Sequence, residues 1–281
     1  MPRHLIVTAD DFGLHDSVNE AVEIASRAGT LNAASLMVAG PAAGDAIRRA
    51  HNLPSLRVGL HVVLTDGWAT LDPQLIPSLA DADGRMRNEM VLTAVRIFAL
   101  PAARGQIEAE IRAQFAAFAR SGLQLDHVNT HKHFHTHPTI LSTLLRVARD
   151  YGSPALRVPD EPFWFAARAG AGAGLNNTLM RPWIAYMKRR LRAAGVVHND
   201  HIFGIAGSGA MSEDRLLEIV GRLPPGVSEI YMHPATNSGS AVAASMSEYR
   251  HAEELAALLS PRVSAALQSV AARGGYQDLR R

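Results

Sequence analysis

The sequence predicts an α/β fold: an irregular (β/α) TIM-like barrel of about seven parallel strands, with residues 1–281 as a single domain. Two observations predict it. Apolar runs of strand length alternate with helix-period segments almost from end to end. Ionisable residues gather just after several of those runs, at the strand ends where parallel α/β folds place their sites.

The first run, Leu5–Ala9, ends on Asp10 and Asp11, and a helical pattern covers 16–28. Ala34–Val38 is the second strand, followed by a helix over 41–51. Val58–Val63 is the third and carries His61 at its end. A helix over 104–120 leads to Leu125–Asn129, after which come His131 and His133. Pro138 is placed to start the next helix, 138–150, because its missing N–H costs nothing in a first turn. Ala155–Val158, His201–Ile205 and Ser228–Met232 complete the strands, with helices over 178–194, 212–222, 247–259 and 261–273. The segment Ala169–Gly174 reads as a flexible surface loop.

Composition narrows the function. With 47% hydrophobic and 19% charged residues the chain is globular rather than disordered. It has no cysteine, so any metal must sit on His, Asp or Glu. A formal charge of +2 is too small for a nucleic-acid face. No apolar run reaches the roughly 18 residues of a membrane span, and Met1-Pro2-Arg3-His4 leads into the first strand without the apolar core of a signal peptide. A cytoplasmic location is therefore expected.

Four motifs carry chemistry. In Thr8-Ala9-Asp10-Asp11-Phe12-Gly13, two adjacent carboxylates leaving a buried strand repel each other. A divalent cation on one would relieve this and leave the other as a base. The alternative is a turn or helix cap, with Asp16 or Ser17 opening the next helix. His61 in Gly59-Leu60-His61 is either a ligand or a structural histidine. In the tract His131-Lys132-His133-Phe134-His135-Thr136-His137-Pro138, extended geometry would point His131 and His133 the same way, toward one site. A His-rich surface loop is the alternative there. His233, after the last strand and before Pro234, could protonate a departing amine or hydrogen-bond a loop carbonyl. One Asp and two His leave positions free on a cation for water and a substrate carbonyl. With Asp10 accepting a proton and His233 giving one, the set suits hydrolysis of an amide or ester.

These motifs, in this order from residue 5 to about 260, resemble the YdjC-type carbohydrate deacetylase family. The resemblance implies an irregular (β/α) barrel, a divalent metal (Zn²⁺ or Mg²⁺) and removal of acetate from an N-acetylglucosamine-type sugar. Carried across by motif, Asp10 resembles the general base, Asp11, His61 and His131 the metal ligands, and His233 the general acid. The chain departs from the family in reading Asn129-Thr130-His131 and His233-Pro234-Ala235, and the first departure makes His133 the alternative ligand. The stretches Asn199-Asp200-His201-Ile202-Phe203-Gly204-Ile205 and Ser208-Gly209-Ala210-Met211, with Leu223-Pro224-Pro225-Gly226, resemble the hopanoid-biosynthesis-associated branch. That branch implies a sugar carried on a polycyclic lipid.

Leu179, Met180, Trp183, Ile184, Met187 and Leu191 form an apolar stripe flanked by Arg181, Lys188, Arg189, Arg190 and Arg192. It fits an outer barrel helix packed on the sheet or an interfacial helix on an anionic bilayer. Expected partners are thus an acetylated amino sugar, a membrane surface met through 178–194, and a second copy of the chain in a homodimer, but not nucleic acid. Rival readings are deacetylation of soluble chitooligosaccharides, a phosphoesterase on the same scaffold, and a non-catalytic sugar- or metal-binding protein.

Overall fold

The longest strand, β1 (Arg3–Phe12), is hydrogen-bonded on both sides and buried along nearly its whole length. That explains its run of apolar residues without alternation. A computed structural model describes residues 3–152, 154–169, 171–237, 242–270 and 272–280. The other strands are β2 (Ala33–Leu36), β3 (Arg57–Val62), β4 (Leu125–Thr130), β5 (Ala155–Leu156), β6 (His201–Phe203), β7 (Gly226–Met232) and β8 (Ala272–Arg273). They are joined in parallel in the order β5-β4-β3-β2-β1-β7-β6, with β8 added to the start of β1. This is the expected irregular barrel, with its wall left incomplete.

Helices cover the outside: α1 (Asp16–Ala28), α2 (Ala43–His51), α3 (Met90–Ala99), α4 (Pro101–Arg120), α5 (Pro138–Arg149), α6 (Phe163–Ala166), α7 (Ala171–Ala193), α8 (Glu213–Gly221), α9 (His251–Leu259) and α10 (Pro261–Leu267). Pro138 does open α5, and His137 caps it by accepting the Thr139 N–H. The cap of α1 is His15, whose Nδ1 accepts the Ser17 N–H, so neither Asp16 nor Ser17 is the cap. No single helix among the described residues is long and apolar enough to cross a membrane.

Several boundaries differ from expectation. Gly170 lies outside the described residues, but Ala171–Gly174 belongs to α7 rather than to a loop, since alanine favours helix strongly enough to carry two glycines. The stripe on α7 is divided: Ile184, Met187 and Leu191 are buried in the core, while Leu179 and Met180 are exposed. The helix expected over 261–273 stops at Leu267, and Ala272–Arg273 pairs with β1; residue 271 lies outside the described residues. The helix expected from 247 begins at His251. α3, absent from the expected helices, is apolar on nearly every side, so its sequence shows no helical period.

Strands β5 and β6 are shorter than expected because no ladder joins them among the described residues. Two main-chain bonds cross the seam, from the N–H groups of Leu156 and Ile202 to the carbonyls of Val197 and Asp160 at 2.9 and 3.1 Å, and one side chain adds three more. Asn199, fully buried, accepts the Val158 N–H at 2.7 Å and donates to the carbonyls of Val158 and His201 at 2.8 and 3.0 Å. The Tyr276 hydroxyl, whose proton goes to Glu229 at 2.6 Å, lies 3.1 Å from the same amide oxygen. Asn199→Ala would leave the buried N–H and carbonyl of Val158 without these partners. A loss of about 3 kcal/mol is expected in urea unfolding; a loss below about 0.5 kcal/mol would show that the seam does not depend on this residue.

Candidate metal centre and catalytic pocket

Neighbouring residues of a regular strand point to opposite faces, so Asp10 and Asp11 could not share a site without an irregularity in β1. The strand supplies one. Ala9 pairs with Ala34 and Phe12 with Leu36, so β1 holds one residue more than β2 across this stretch. Asp11 adopts a left-handed φ of 62°, a conformation that Asp tolerates better than most residues. Both carboxylates turn into the barrel and are buried.

Asp10 meets Arg157, which follows β5. The guanidinium donates to Oδ2 at 2.5 Å and to Oδ1 at 2.8 Å. Its other edge grips Glu229 of β7 at 3.0 and 2.7 Å, and Glu229 also accepts from the hydroxyls of Thr8 and Tyr276. Burial alone would raise the Asp10 pKa, but Arg157 outweighs it and holds the carboxyl well below its ordinary range.

Asp11 meets two imidazoles. Its Oδ1 lies 3.2 Å from His61 Nε2 and 3.2 Å from His131 Nδ1, and those nitrogens are 3.3 Å apart. The triangle matches the separation of about 3.3 Å between ligand atoms on a tetrahedral ion with 2.0–2.1 Å bonds. The other oxygen, Asp11 Oδ2, is buried with no hydrogen-bond partner, so it is also open to a cation bound by both oxygens. Asp11, His61 and His131 therefore form a group that could hold a metal ion. His61 is oriented by Nδ1 donating to Asn129 Oδ1 at 2.6 Å. His131 turns Nε2 toward Asp66, 4.0 Å away, which also pairs with Lys132 at 2.5 Å. Burial lowers the His131 pKa, but the carboxylates of Asp11 and Asp66 overcome it and push it up to about 9. Burial likewise acts to raise Asp11, and the two imidazoles hold it well below the carboxylate range.

The histidine tract is not extended. Residues His131–Thr136 form a tight turn in which Lys132 and His133 have φ of 54° and 52°. His131 and His133 consequently diverge. His133 contacts the Tyr231 hydroxyl at 3.2 Å through Nε2 and stands outside the metal-competent group. His135 pins the turn instead, with Nδ1 on Thr130 Oγ1 and Nε2 donating to the Arg157 carbonyl.

His233 follows β7 with both its main-chain polar groups clamped. Its N–H donates to Glu254 at 2.5 Å, and its carbonyl accepts from His251 Nδ1 at 2.5 Å. The ring lies with Nε2 4.0 Å from Asp11 Oδ2 and with Nδ1 unpartnered. Burial draws its pKa below the usual histidine range, against the pull of Asp11 and Asp10. Asp10, Asp11, His61, His131 and His233 thus come together at one mouth, at the C-terminal ends of β1, β3, β4 and β7.

A small pocket of about 70 Å³ is lined by Asp10, His61, His131, Tyr231, His233 and Tyr249. It sits between two larger cavities. One, about 660 Å³, shares His131 and Met246 with it and carries Trp68, Arg85, Asn88 and Glu89. The other, about 320 Å³, lies across His133 and is walled by Met180, Ile184, Ile205 and Ala206. Glu161 fixes that wall: its carboxylate accepts the N–H groups of Gly204, Ile205 and Ala206 at 3.0, 2.8 and 2.9 Å.

Arg157, Glu229, Asn129, Asp66 and Glu254 were not assigned to the site by sequence reasoning. A signal existed for two of them. Arg157 and Glu229 interrupt apolar strand runs, and a charge buried in a strand demands an opposite charge nearby.

The chain matches the model of the YdjC-like protein family over residues 4–269. It is 31% identical to a carbohydrate deacetylase of Geobacillus stearothermophilus over 267 residues, 94% of this chain and 93% of that protein. It is 40% identical to a carbohydrate deacetylase of Brevibacillus brevis over 152 residues, 53% of this chain and 57% of that protein, so this match spans little more than half the relative's length. A crystal structure from Enterococcus faecalis V583, described as a candidate cellobiose-phosphate cleavage protein, superposes with a TM-score of 0.76 at 23% identity and 99% coverage of both chains. That likeness shows a shared fold.

With its pKa near 9 in the ion-free chain, His131 carries a proton at pH 7 that a metal must displace. Zn²⁺ titrations at pH 7 in buffers of different ionisation enthalpy are expected to release about one proton. Apparent affinity should rise about tenfold per pH unit, levelling at about 9. Binding without proton release would place the ion elsewhere.

Proposed function

The chain belongs to the YdjC-like family, and from that premise we propose that it is a metal-dependent carbohydrate N-deacetylase acting on an N-acetylglucosamine-type sugar. The observation that carries this reading is the buried triangle of Asp11, His61 and His131 with Asp10 and His233 beside it, next to a cavity large enough for a sugar. Relatives bearing the name carbohydrate deacetylase support the substrate class.

A divalent cation held by Asp11, His61 and His131 would supply Lewis acidity, polarising the acetamide carbonyl and acidifying a water. Asp10 stays anionic because Arg157 grips it, and Oδ2, whose one hydrogen bond comes from Arg157, keeps a lone pair able to accept a proton from the attacking water. His233, whose Nε2 lies 4.0 Å from Asp11 Oδ2, delivers a proton to the departing nitrogen. The C–N bond breaks, acetate carries away the oxygen of water, and the sugar leaves as a free amine.

The finer substrate reading is a sugar carried on a polycyclic lipid of the hopanoid type. The cavity across His133 supports it, since Met180, Ile184, Ile205 and Ala206 offer an apolar wall beside the reacting group. On this reading the exposed Leu175, Leu179, Met180 and Tyr186 of α7, with Arg181 and Arg189 beside them, would meet an anionic bilayer. The larger cavity, with Trp68 and several polar residues, favours soluble chitooligosaccharides as a second reading. A phosphoesterase is disfavoured because Arg157 is committed on both edges to carboxylates.

Acetate release should be measured on N-acetylglucosamine conjugates, soluble and lipid-linked, with and without chelator. Release that stops on chelation and returns with metal is expected, and preference for the lipid-linked set would favour the finer reading. Asp10→Asn should retain Zn²⁺ while losing about 10²–10⁴-fold in kcat. Turnover indifferent to both chelator and Asp10→Asn would sink the proposal.

A further inference from the structure

Beneath His61 a line of buried polar side chains crosses the barrel interior. His61 Nδ1 meets Asn129 Oδ1 at 2.6 Å, Asn129 Nδ2 meets Ser35 Oγ at 2.8 Å, and Ser35 Oγ meets His127 Nε2 at 3.0 Å. His127 Nδ1 meets Asp126 Oδ2 at 2.9 Å, and the Asp126 carboxylate also accepts the N–H groups of Tyr276 and Gln277 at 3.1 and 2.8 Å. Every member is at most 2% exposed.

The direction of each bond is fixed from both ends. A carboxylate can only accept, so His127 donates to Asp126 from Nδ1, and as a neutral ring it accepts the Ser35 hydroxyl at Nε2. At the other end Asn129 Nδ2 also lies 3.3 Å from Asp10 Oδ1, which prevents the amide from turning its oxygen that way. Asn129 Oδ1 must then accept from His61. All the donors along the line point toward Asp126, and bonds aligned this way polarise one another.

Two glycines keep the line intact. A Cβ at Gly59 would stand 2.5 Å from the His127 ring, and one at Gly275 would stand 2.7 Å from Asp126 Oδ1. The glycine of Gly59-Leu60-His61 thus makes room for a ring that supports the histidine two residues later.

We propose that Asp126, His127, Ser35 and Asn129 are a positioning chain that locks His61 as the Nδ1–H tautomer and raises the donor strength of Nε2, so that the distant Asp126 carboxylate tunes metal affinity. A carboxylate or carbonyl behind a metal-binding imidazole ordinarily does this in direct contact; here the effect is relayed through three side chains. The inference rests on the reading of His61 as a metal ligand.

Zn²⁺ affinity by chelator competition and the ¹H–¹⁵N imidazole spectrum of the ion-free chain test it, in Ser35→Ala, Asp126→Asn and the double variant. Each single change is expected to weaken Zn²⁺ binding about tenfold, with the double variant little weaker than either, because one chain is cut twice. In Ser35→Ala the His61 Nδ1 proton should move upfield. Ser35→Ala removes a single oxygen and decides the question should Asp126→Asn, which also disturbs the amides of Tyr276 and Gln277, fail to fold. Affinity unchanged in Ser35→Ala, or an unmoved His61 resonance, overturns this inference alone. A chain that takes up no Zn²⁺ overturns it together with the metal reading.

Discussion

Asp10 and Glu229 are both shut inside the barrel, and two carboxylates in one dry space are tolerable only with a cation between them. Arg157 fills that place with one planar group, giving two bonds to each partner. A guanidinium cannot give up its proton in a protein, so this compensation is permanent. The rest of the mouth is arranged around a carboxylate that Arg157 holds in its anionic form at rest.

Asp11, the very next residue, is compensated differently. Its partners are imidazoles, whose charge can come and go, and His131 holds a proton there near neutrality. The same negative charge that retains this proton would retain a divalent ion in its place. A single bulge in β1 therefore divides two chemically identical side chains between a fixed counter-charge and an exchangeable one. That division suits a base beside a metal ligand.

Much of the fold was legible because buried parallel strands leave long apolar runs, and the runs ending at Ala9, Val63, Asn129 and Met232 each lie on an observed strand. The mouth was legible for the same reason: Asp10, Asp11, His61, His131 and His233 stand where those runs stop. What could not be read was conformation that breaks the regular period. The left-handed residues Lys132 and His133 turn an apparently extended tract aside, and no pattern in His-Lys-His announces this. The seam through Asn199 and the line from Asp126 to His61 were hidden because they join residues far apart in the chain through single side chains. Local sequence carries little trace of such contacts.

Glu161 has a consequence for what the protein will admit. Consecutive N–H groups converging on one point are what a protein commonly uses to seize a phosphoryl group. Here Gly204, Ile205 and Ala206 are already claimed by a carboxylate of the chain itself. A phosphoryl group approaching the apolar cavity finds that cradle occupied, with no main-chain N–H of these three residues left to hold it.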